Sequence, residues 1–384
     1  MIKDIHKKVF DDSTKAKLEL FRLYLREWLP VFIMQEFSKI EIHDYFAGEG
    51  TDVEGNSGSP LIILDEIKDY CFRLNNKNIK MILHLNDFDK KKIEKLKRNT
   101  YYKLQDCAKE KIYDFCNVTV KNNNCPFEIK FYNKEFSELF NKDYRNFIIN
   151  ENVPRLIFID QYGIKQVNDD VFKKLTTINF TDFMFFISSS HIIRFKEQEA
   201  FKKYLDTKKI DFTDKRPAEC HRVVFEYFKG LIPSGYFLGQ FSIKKNANYY
   251  GLIFGSKNHL GMKKFLDVAW KIDNETGEAN HNIDNDPIRE GQMTLDFNNN
   301  GKANKVKKLS KFTDELLNFL KKWKTNKDLY IYALEKGIKV KIVNDILNDL
   351  ENKNKLIVQS SDNRRKGYFY LELTPTKRIR IKTL

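Results

Sequence analysis

The 384-residue chain is 41% hydrophobic and 14% aromatic, enough for packed cores and long enough for two domains, so it is not a disordered protein. No apolar run approaches the ~20 residues of a membrane helix, and the charged opening MIKDIHKKVFDDSTKAK lacks the apolar segment of a secretory signal, so cytoplasmic residence is expected. None of Cys71, Cys107, Cys116, Cys125 and Cys220 is spaced as C-x-x-C and no histidine follows at finger spacing; they read as reduced thiols, and no metal is expected.

The net charge of +15 is unevenly placed. Residues 301–384 hold 21 Lys/Arg against 9 Asp/Glu, a net +12, which leaves +3 for the first 300 residues. A tail so basic suits a polyanion, most simply nucleic acid. A lysine-rich codon bias is the competing source of that charge.

Leu18, Phe21, Leu25 and Trp28 recur at three- and four-residue steps and predict an amphipathic opening helix with Pro30 near its end. The run Ile40–Phe46 predicts the first strand. Ser59 and Pro60 predict the N-cap and first position of a helix reaching about Leu74. Further strands are expected at residues 79–88, 127–133, 155–160 and 182–188, with helices over DKKKIEKLKR and around Val171–Leu175. The run RLIFID is apolar almost throughout, as in a strand covered on both faces. YFLGQFSIKK and YYGLIFGS, joined at Asn246–Asn248, predict an antiparallel hairpin. Alternating strands and helices closed by a hairpin predict an α/β fold, a mostly parallel sheet with one antiparallel edge.

Polar, Asn-rich sequence from about Asp273 to Lys305 marks a linker and divides the chain into residues 1–272, 273–304 and 305–384. In the last unit Leu309, Phe312, Leu316, Phe319 and Trp323 line one helix. Helices over Lys327–Lys336 and Lys341–Glu351 follow, then KLIVQS and GYFYLEL, turning at DNRRK. Three helices and a basic hairpin are the winged-helix plan. On that plan Lys341 and Asn344 reach a major groove of double-stranded DNA, and Arg364, Arg365 and Lys366 track its phosphates.

The chemistry concentrates in IHDYFAGEGTDVEGNSGSP, residues 42–60. Asp44, Phe46, Gly48 and Gly50 read D-x-F-x-G-x-G between a strand and a helix, the arrangement that holds a polar cofactor at the carboxyl end of a strand. Glycine lets the backbone turn there and approach a ligand. In a class I methyltransferase-like sheet the acid ending the second strand accepts from the cofactor's ribose. Asp87 has that position and Asp89 is the near alternative; an acid there also serves to cap the next helix. Tyr132 and Asn133 end the third strand, either beside an adenine ring or in a solvent-facing turn.

The fourth strand ends in Asp160, Gln161, Tyr162 and Gly163, where amino-methyltransferases set their acceptor group. Asp160 is expected to accept from a target amine and Tyr162 to stack on the target. The run is D-Q-Y where N6-adenine and N4-cytosine enzymes have D-P-P-Y. Methyl transfer from a sulfonium needs in-line placement and a path for a proton. The chain has no GK[ST], H-E-x-x-H or G-x-S-x-G, which removes the main support for kinase, zinc-protease and α/β-hydrolase readings.

Together KAKLELFRLYLREWLP, YFAGEG, GSPLI, FIDQYG and YYGLIFGSKNHLGMKKFLDVAW resemble the three-Cys-motif partner family, bacterial methyltransferase-like proteins encoded beside a small protein with a three-cysteine motif. The resemblance covers about residues 15–272. It implies a Rossmann-like class I sheet and a separately encoded cysteine-motif partner. With the loop residues above, it implies S-adenosylmethionine as cofactor. The family's Pro in the first-strand loop and its D-P-F-G after the fourth strand are replaced by Glu49 and by Gln161–Tyr162. His259 and Trp270 fall inside the resemblance, the histidine read as a cap or packing residue; His43 and His84 are read as structural.

Residues 292–297, QMTLDF, resemble the Q-x-x-L-x-F peptides with which bacterial DNA-processing proteins dock on the sliding clamp, Met293, Leu295 and Phe297 entering an apolar pocket. Two functions are expected from these readings. One is an S-adenosylmethionine-dependent methyltransferase-like protein working on nucleic acid or a nucleic-acid-bound complex. The other is a non-catalytic adaptor that keeps the fold, binds a partner protein and finds DNA through its tail.

Overall fold

The segments RLIFI and TDFMFFI are buried at every position, which requires helices on both faces of the sheet they centre. The computed structural model describes residues 8–35, 37–104, 127–161, 163–290, 306–360 and 363–384. Its first seven strands are β1 (Lys39–Asp44), β2 (Lys80–Asn86), β3 (Phe127–Tyr132), β4 (Arg155–Ile159), β5 (Thr181–Ile187), β6 (Phe237–Lys245) and β7 (Asn248–Ser256). They form one sheet in the order β3-β2-β1-β4-β5-β7-β6. The strands β1 to β5 are parallel, while β7 runs antiparallel to β5 and β6 to β7. Asn246, at φ 53°, makes the tight reversal between β6 and β7.

Ten α-helices accompany this sheet among the described residues: α1 (Asp12–Ile33), α2 (Ser59–Lys68), α3 (Cys71–Asn76), α4 (Lys90–Leu104), α5 (Phe136–Ile149), α6 (Asp169–Thr177), α7 (Ser189–Phe195), α8 (Glu199–Lys202), α9 (Cys220–Lys229) and α10 (His259–Ile272). Alternation along the strands divides them. Leu156 and Phe158 of β4 join the core under α1, α2, α4 and α10, and Ile157 and Ile159 join the core under α5, α6, α7 and α9. The opening helix begins where the Asp11 carboxylate accepts from the Thr14 N–H at 2.9 Å. It buries Leu18, Phe21, Leu25 and Trp28 and ends three residues past Pro30.

The second helix starts one residue earlier than expected. Gly58 is the N-cap, Ser59 is already helical, and the expected single helix to Leu74 is broken into α2 and α3 around Tyr70. Residues 273–290, read from composition as part of a linker, are built into the fold. Ala279 bridges to Ser242 on the outer side of β6. Buried Glu278 receives Arg222 at 2.6 Å and Lys308 at 3.3 Å. Polar composition misled here because the segment is held by ion pairs and by backbone bonds to the Asp273 carboxylate rather than by apolar periodicity.

The C-terminal unit runs α11 (Lys307–Phe319), β8 (Lys324–Thr325), α12 (Asn326–Glu335), α13 (Val340–Asn352), β9 (Leu356–Ser360) and β10 (Ile379–Thr383). Its small sheet has the order β8-β10-β9. The strand that pairs with β9 is β10, not the expected GYFYLEL. That segment is irregular because Phe369 and Leu371 plug the core and because the Asn344 carboxamide takes its backbone, donating to Gly367 O and accepting from Phe369 N. The unit docks on α10: His259 Nδ1 lies 2.8 Å from Tyr330 Oη, and Trp270 Nε1 donates to Gly337 O at 3.2 Å. Among the described residues no helix is long and apolar enough to cross a membrane.

Candidate functional site

The carboxyl ends of β1, β2 and β4 lie side by side and bring Asp44, Asp87 and Asp160 together with the glycine loop. Past Asp44 the chain turns through Gly48 at φ 62° and Gly50 at φ 85°, conformations that cost a residue with a Cβ. The loop is clasped from three sides. Gly48 N–H donates to Asp87 Oδ2 at 3.1 Å, Ala47 N–H to Asn86 O at 2.8 Å, and Gly58 N–H to Gly50 O at 2.7 Å. A Cβ on Gly50 would sit 2.8 Å from Leu96 Cδ1 and 3.4 Å from Leu61 Cγ. The missing side chain of Gly50 therefore makes room for the core, where the sequence suggested room for a ligand.

Asp44 is fully buried and accepts from the Ser59 hydroxyl at 2.6 Å and from Phe46 N–H at 3.1 Å. Burial pushes its carboxyl up to about 7, with Asp160 and Asp87 adding to the rise against those two hydrogen bonds. Phe46 is half-buried and stacks on Phe136, ring centres 5.4 Å apart. Asp87 is half-buried, and Phe88 beside it is 75% exposed. Asp89 caps α4, accepting from Lys91 N–H at 2.8 Å, which leaves Asp87 as the acid facing the loop. The Asn133 amide is spent on Asp87 O and Phe88 O, and Tyr132 Oη bonds His84 Nδ1 at 3.0 Å inside the sheet.

At the tip of β4, Asp160 is paired with Lys17 of α1. The ammonium also lies 5.0 Å from the centre of the Phe186 ring. Gln161 is buried and its carbonyl accepts from Gln166 and Val167 N–H at 2.9 and 3.1 Å. It shapes the following turn. Tyr162 lies outside the described residues. Gly163, at φ 80°, has open space where a Cβ would be.

A second polar group lies on the opposite face of β1. Glu41, His43 and His84 offer ligand-type atoms within 4.8 Å of one another. Glu41 already holds Arg155 Nε at 3.0 Å and Lys39 Nζ at 2.9 Å. The two imidazoles stack in parallel at 4.1 Å and 6°, so their in-plane lone pairs run side by side instead of converging on one point. Burial raises the Glu41 carboxyl, but contacts with His43 and Lys39 outweigh it and hold it well below the usual carboxylate range. Burial, with His43 alongside, pushes His84 well down, so it is neutral. This is an ionic lock between β1 and β4, with the neutral His84 of β2 packed against it. Its signal in the sequence is the pair of polar residues alternating with isoleucine in IEIH, which the structure buries. Lys17 left no such signal among the charged residues of α1.

Of the residues expected to meet DNA, Lys341, Arg365 and Lys366 are exposed. Asn344 is engaged with the 367–369 backbone, and Arg364 is paired with Glu351.

A parallel sheet in this strand order with an antiparallel β7, and its glycine turn after β1, has the Rossmann-like arrangement of class I methyltransferases. No family model matches the chain, and no curated protein sequence matches it. Among solved structures it is similar to Trm1 from Pyrococcus horikoshii in complex with S-adenosyl-L-methionine, at 13% identity and TM-score 0.38, over 72% of this chain and 65% of that one. It is similar to spermidine synthase from Thermotoga maritima at 14% and 0.31, over 66% and 63%. A third is the O-methyltransferase TomG from Streptomyces achromogenes in complex with S-adenosylmethionine, at 8% and 0.29, over 64% and 89%. The match thus spans less than two thirds of the length of the first two proteins.

Proposed function

We propose that the chain is a cytoplasmic S-adenosylmethionine-dependent methyltransferase-like protein acting on nucleic acid or on a nucleic-acid-bound complex. The observation that carries this reading is the Asp87–Gly48 clasp at adjacent strand ends, beside Asp44 and Asp160. Asp44, Phe46, Gly48 and Asp87 would hold the cofactor, with Asp87 toward the ribose hydroxyls and Gly50 keeping the loop seated on the core. Asp87 and, once ionised, Asp44 also suit a ligand with a sulfonium and an α-ammonium. Bound there, the cofactor supplies an electrophilic methyl group. Asp160, once Lys17 moves aside, would hold the acceptor's N–H and take its proton. Calorimetry on the full chain tests the reading: wild type should bind S-adenosylmethionine, and Asp87→Ala should lose about tenfold, roughly one charge-assisted hydrogen bond. Absence of heat from folded wild type at millimolar cofactor ends it.

A non-catalytic adaptor is the second reading, favoured by one contact: Lys17 already fills the place on Asp160 that an acceptor amine needs. Cofactor binding without methyl incorporation into added nucleic acid or into the partner complex would support it.

We read the C-terminal unit, with its order of helix, strand, two helices and two strands, as a winged helix for duplex DNA. With Asn344 and Arg364 engaged within the chain, phosphate contacts fall to Lys341, Arg365 and Lys366. Reversing Arg365 and Lys366 should lower the log–log salt slope of duplex binding by about 0.9 per lost contact; an unchanged slope removes the wing from the interface. A three-cysteine-motif partner and a clamp contact through residues 292–297, which lie outside the described residues, complete the proposal. Co-purification with the partner tests the first, and clamp binding that survives Leu295→Ala with Phe297→Ala would remove the second.

A further inference from the structure

The C-terminal cations divide by what they touch. Lys308 and Lys339 pair with Glu278 and Asp267 of the large sheet's own segments, and Arg364 with Glu351. Lys321, Lys322, Lys355, Arg378, Arg380 and Lys382 form no ion pair among the described residues. Two of these lie on β10, which alternates: Ile379 and Ile381 are buried, and Arg380 is exposed. Arg380 stands in register with Thr325 of β8 and Gln359 of β9, and Lys382 with Ile357, which is 38% exposed. The Arg380 guanidinium lies 5.6 Å from the centre of the Trp323 ring, at the entry to β8. No carboxylate occurs on the three strands.

We propose that this outward sheet face binds single-stranded nucleic acid. Its cations meet phosphates, and an indole carrying a planar guanidinium offers a stacking platform. Base faces are free to stack only in an unpaired strand; a duplex hides them in its own stack. The face is built from the strands β8, β10 and β9 alone, so its residues are distinct from those of α13 and the wing. The inference rests on reading the C-terminal unit as nucleic-acid-facing and is independent of the cofactor.

The chain has three tryptophans, and Trp28 and Trp270 are 2% and 6% exposed, so Trp323 is the indole a strand can reach. Adding oligo-dT of roughly 20 nucleotides to the full-length protein at low salt should quench tryptophan emission. Trp323→Phe should abolish the quench while anisotropy still reports binding. Arg380→Glu with Lys382→Glu should weaken binding about tenfold or more and flatten the salt slope by about 0.7 per lost phosphate contact. A duplex of equal length should not quench. No binding of oligo-dT by folded wild type overturns the proposal, as does an unchanged affinity in the Arg380/Lys382 double variant. If Lys341→Glu with Lys366→Glu abolishes oligo-dT binding while the Arg380/Lys382 variant binds normally, this face is overturned and the C-terminal reading survives.

Discussion

Lys17, on the first helix, closes an ion pair with Asp160 at the tip of the fourth strand, across 143 residues of sequence. The two side chains are 13% and 22% exposed, so the acidic corner of the sheet is neutralised by a residue that belongs to no strand. Replacing Lys17 with Met should strand a mostly buried carboxylate and cost about 1–3 kcal/mol. Adding Asp160→Asn should restore most of it. Urea midpoints for the four members of that double-mutant cycle check the coupling; additive losses would mean the pair contributes nothing jointly.

Asp44 sets a pH dependence of its own. Its folded value of about 7 exceeds the ordinary 3.8, so the folded state binds the proton more tightly. The stability this gives is fully present below about pH 4 and is lost as pH rises through 7, falling by ~1.4 kcal/mol for each pH interval of one between those limits. Asp44→Asn should therefore be more stable than wild type at pH 8 and should flatten the stability profile between pH 4 and 7. A profile with the wild-type slope would contradict this. A cationic ligand needs Asp44 ionised, so its affinity should rise over the same interval in wild type and not in the variant.

Two glycines with nearly equal φ provide an internal comparison. Gly50 at 85° has Leu96 against its Cβ position, whereas Gly163 at 80° has open space there. Gly163→Ala should cost only the left-handed penalty, ~1–2 kcal/mol. Gly50→Ala adds a core clash of ~1–3 kcal/mol. Equal melting temperatures for the two variants would show that Leu96 yields freely.

Arg155 is fully buried against Glu41, which is 4% exposed. Arg155→Met should cost about 3–5 kcal/mol because it removes the fully buried partner of the Glu41 carboxylate. Glu41→Gln added to it should recover part of the loss. Chemical denaturation decides this, and a smaller loss in the single variant than in the double one would refute the lock.

The large sheet was legible because buried parallel strands write themselves as apolar runs: β4 and β5 fall within a residue of their expected bounds. The loop residues were legible for the same local reason, a strand, a glycine turn and a helix in sequence. What escaped is non-local. Lys17 meets Asp160, and Arg155 meets Glu41, across gaps that no periodicity encodes. The small sheet was misassigned because GYFYLEL has every local mark of a strand, yet Asn344 claims its backbone, while the strand that pairs instead carries only the brief alternation RIRIK. Residues 273–290 misled in the opposite direction, polar in composition and held by charge.

The docking of Tyr330 and Gly337 on His259 and Trp270 has a consequence for how the molecule melts. Leu266 and Trp270 of α10 and Leu329 and Leu334 of α12 belong to one uninterrupted apolar core, so calorimetry of the full chain should show the basic tail and the glycine loop melting together. Whatever is caught at one end raises the melting temperature of the other through mass action alone, without any movement between them. A chain cut before α11 would uncover the apolar side of α10, and its misbehaviour would report a torn core rather than a missing nucleic-acid contact.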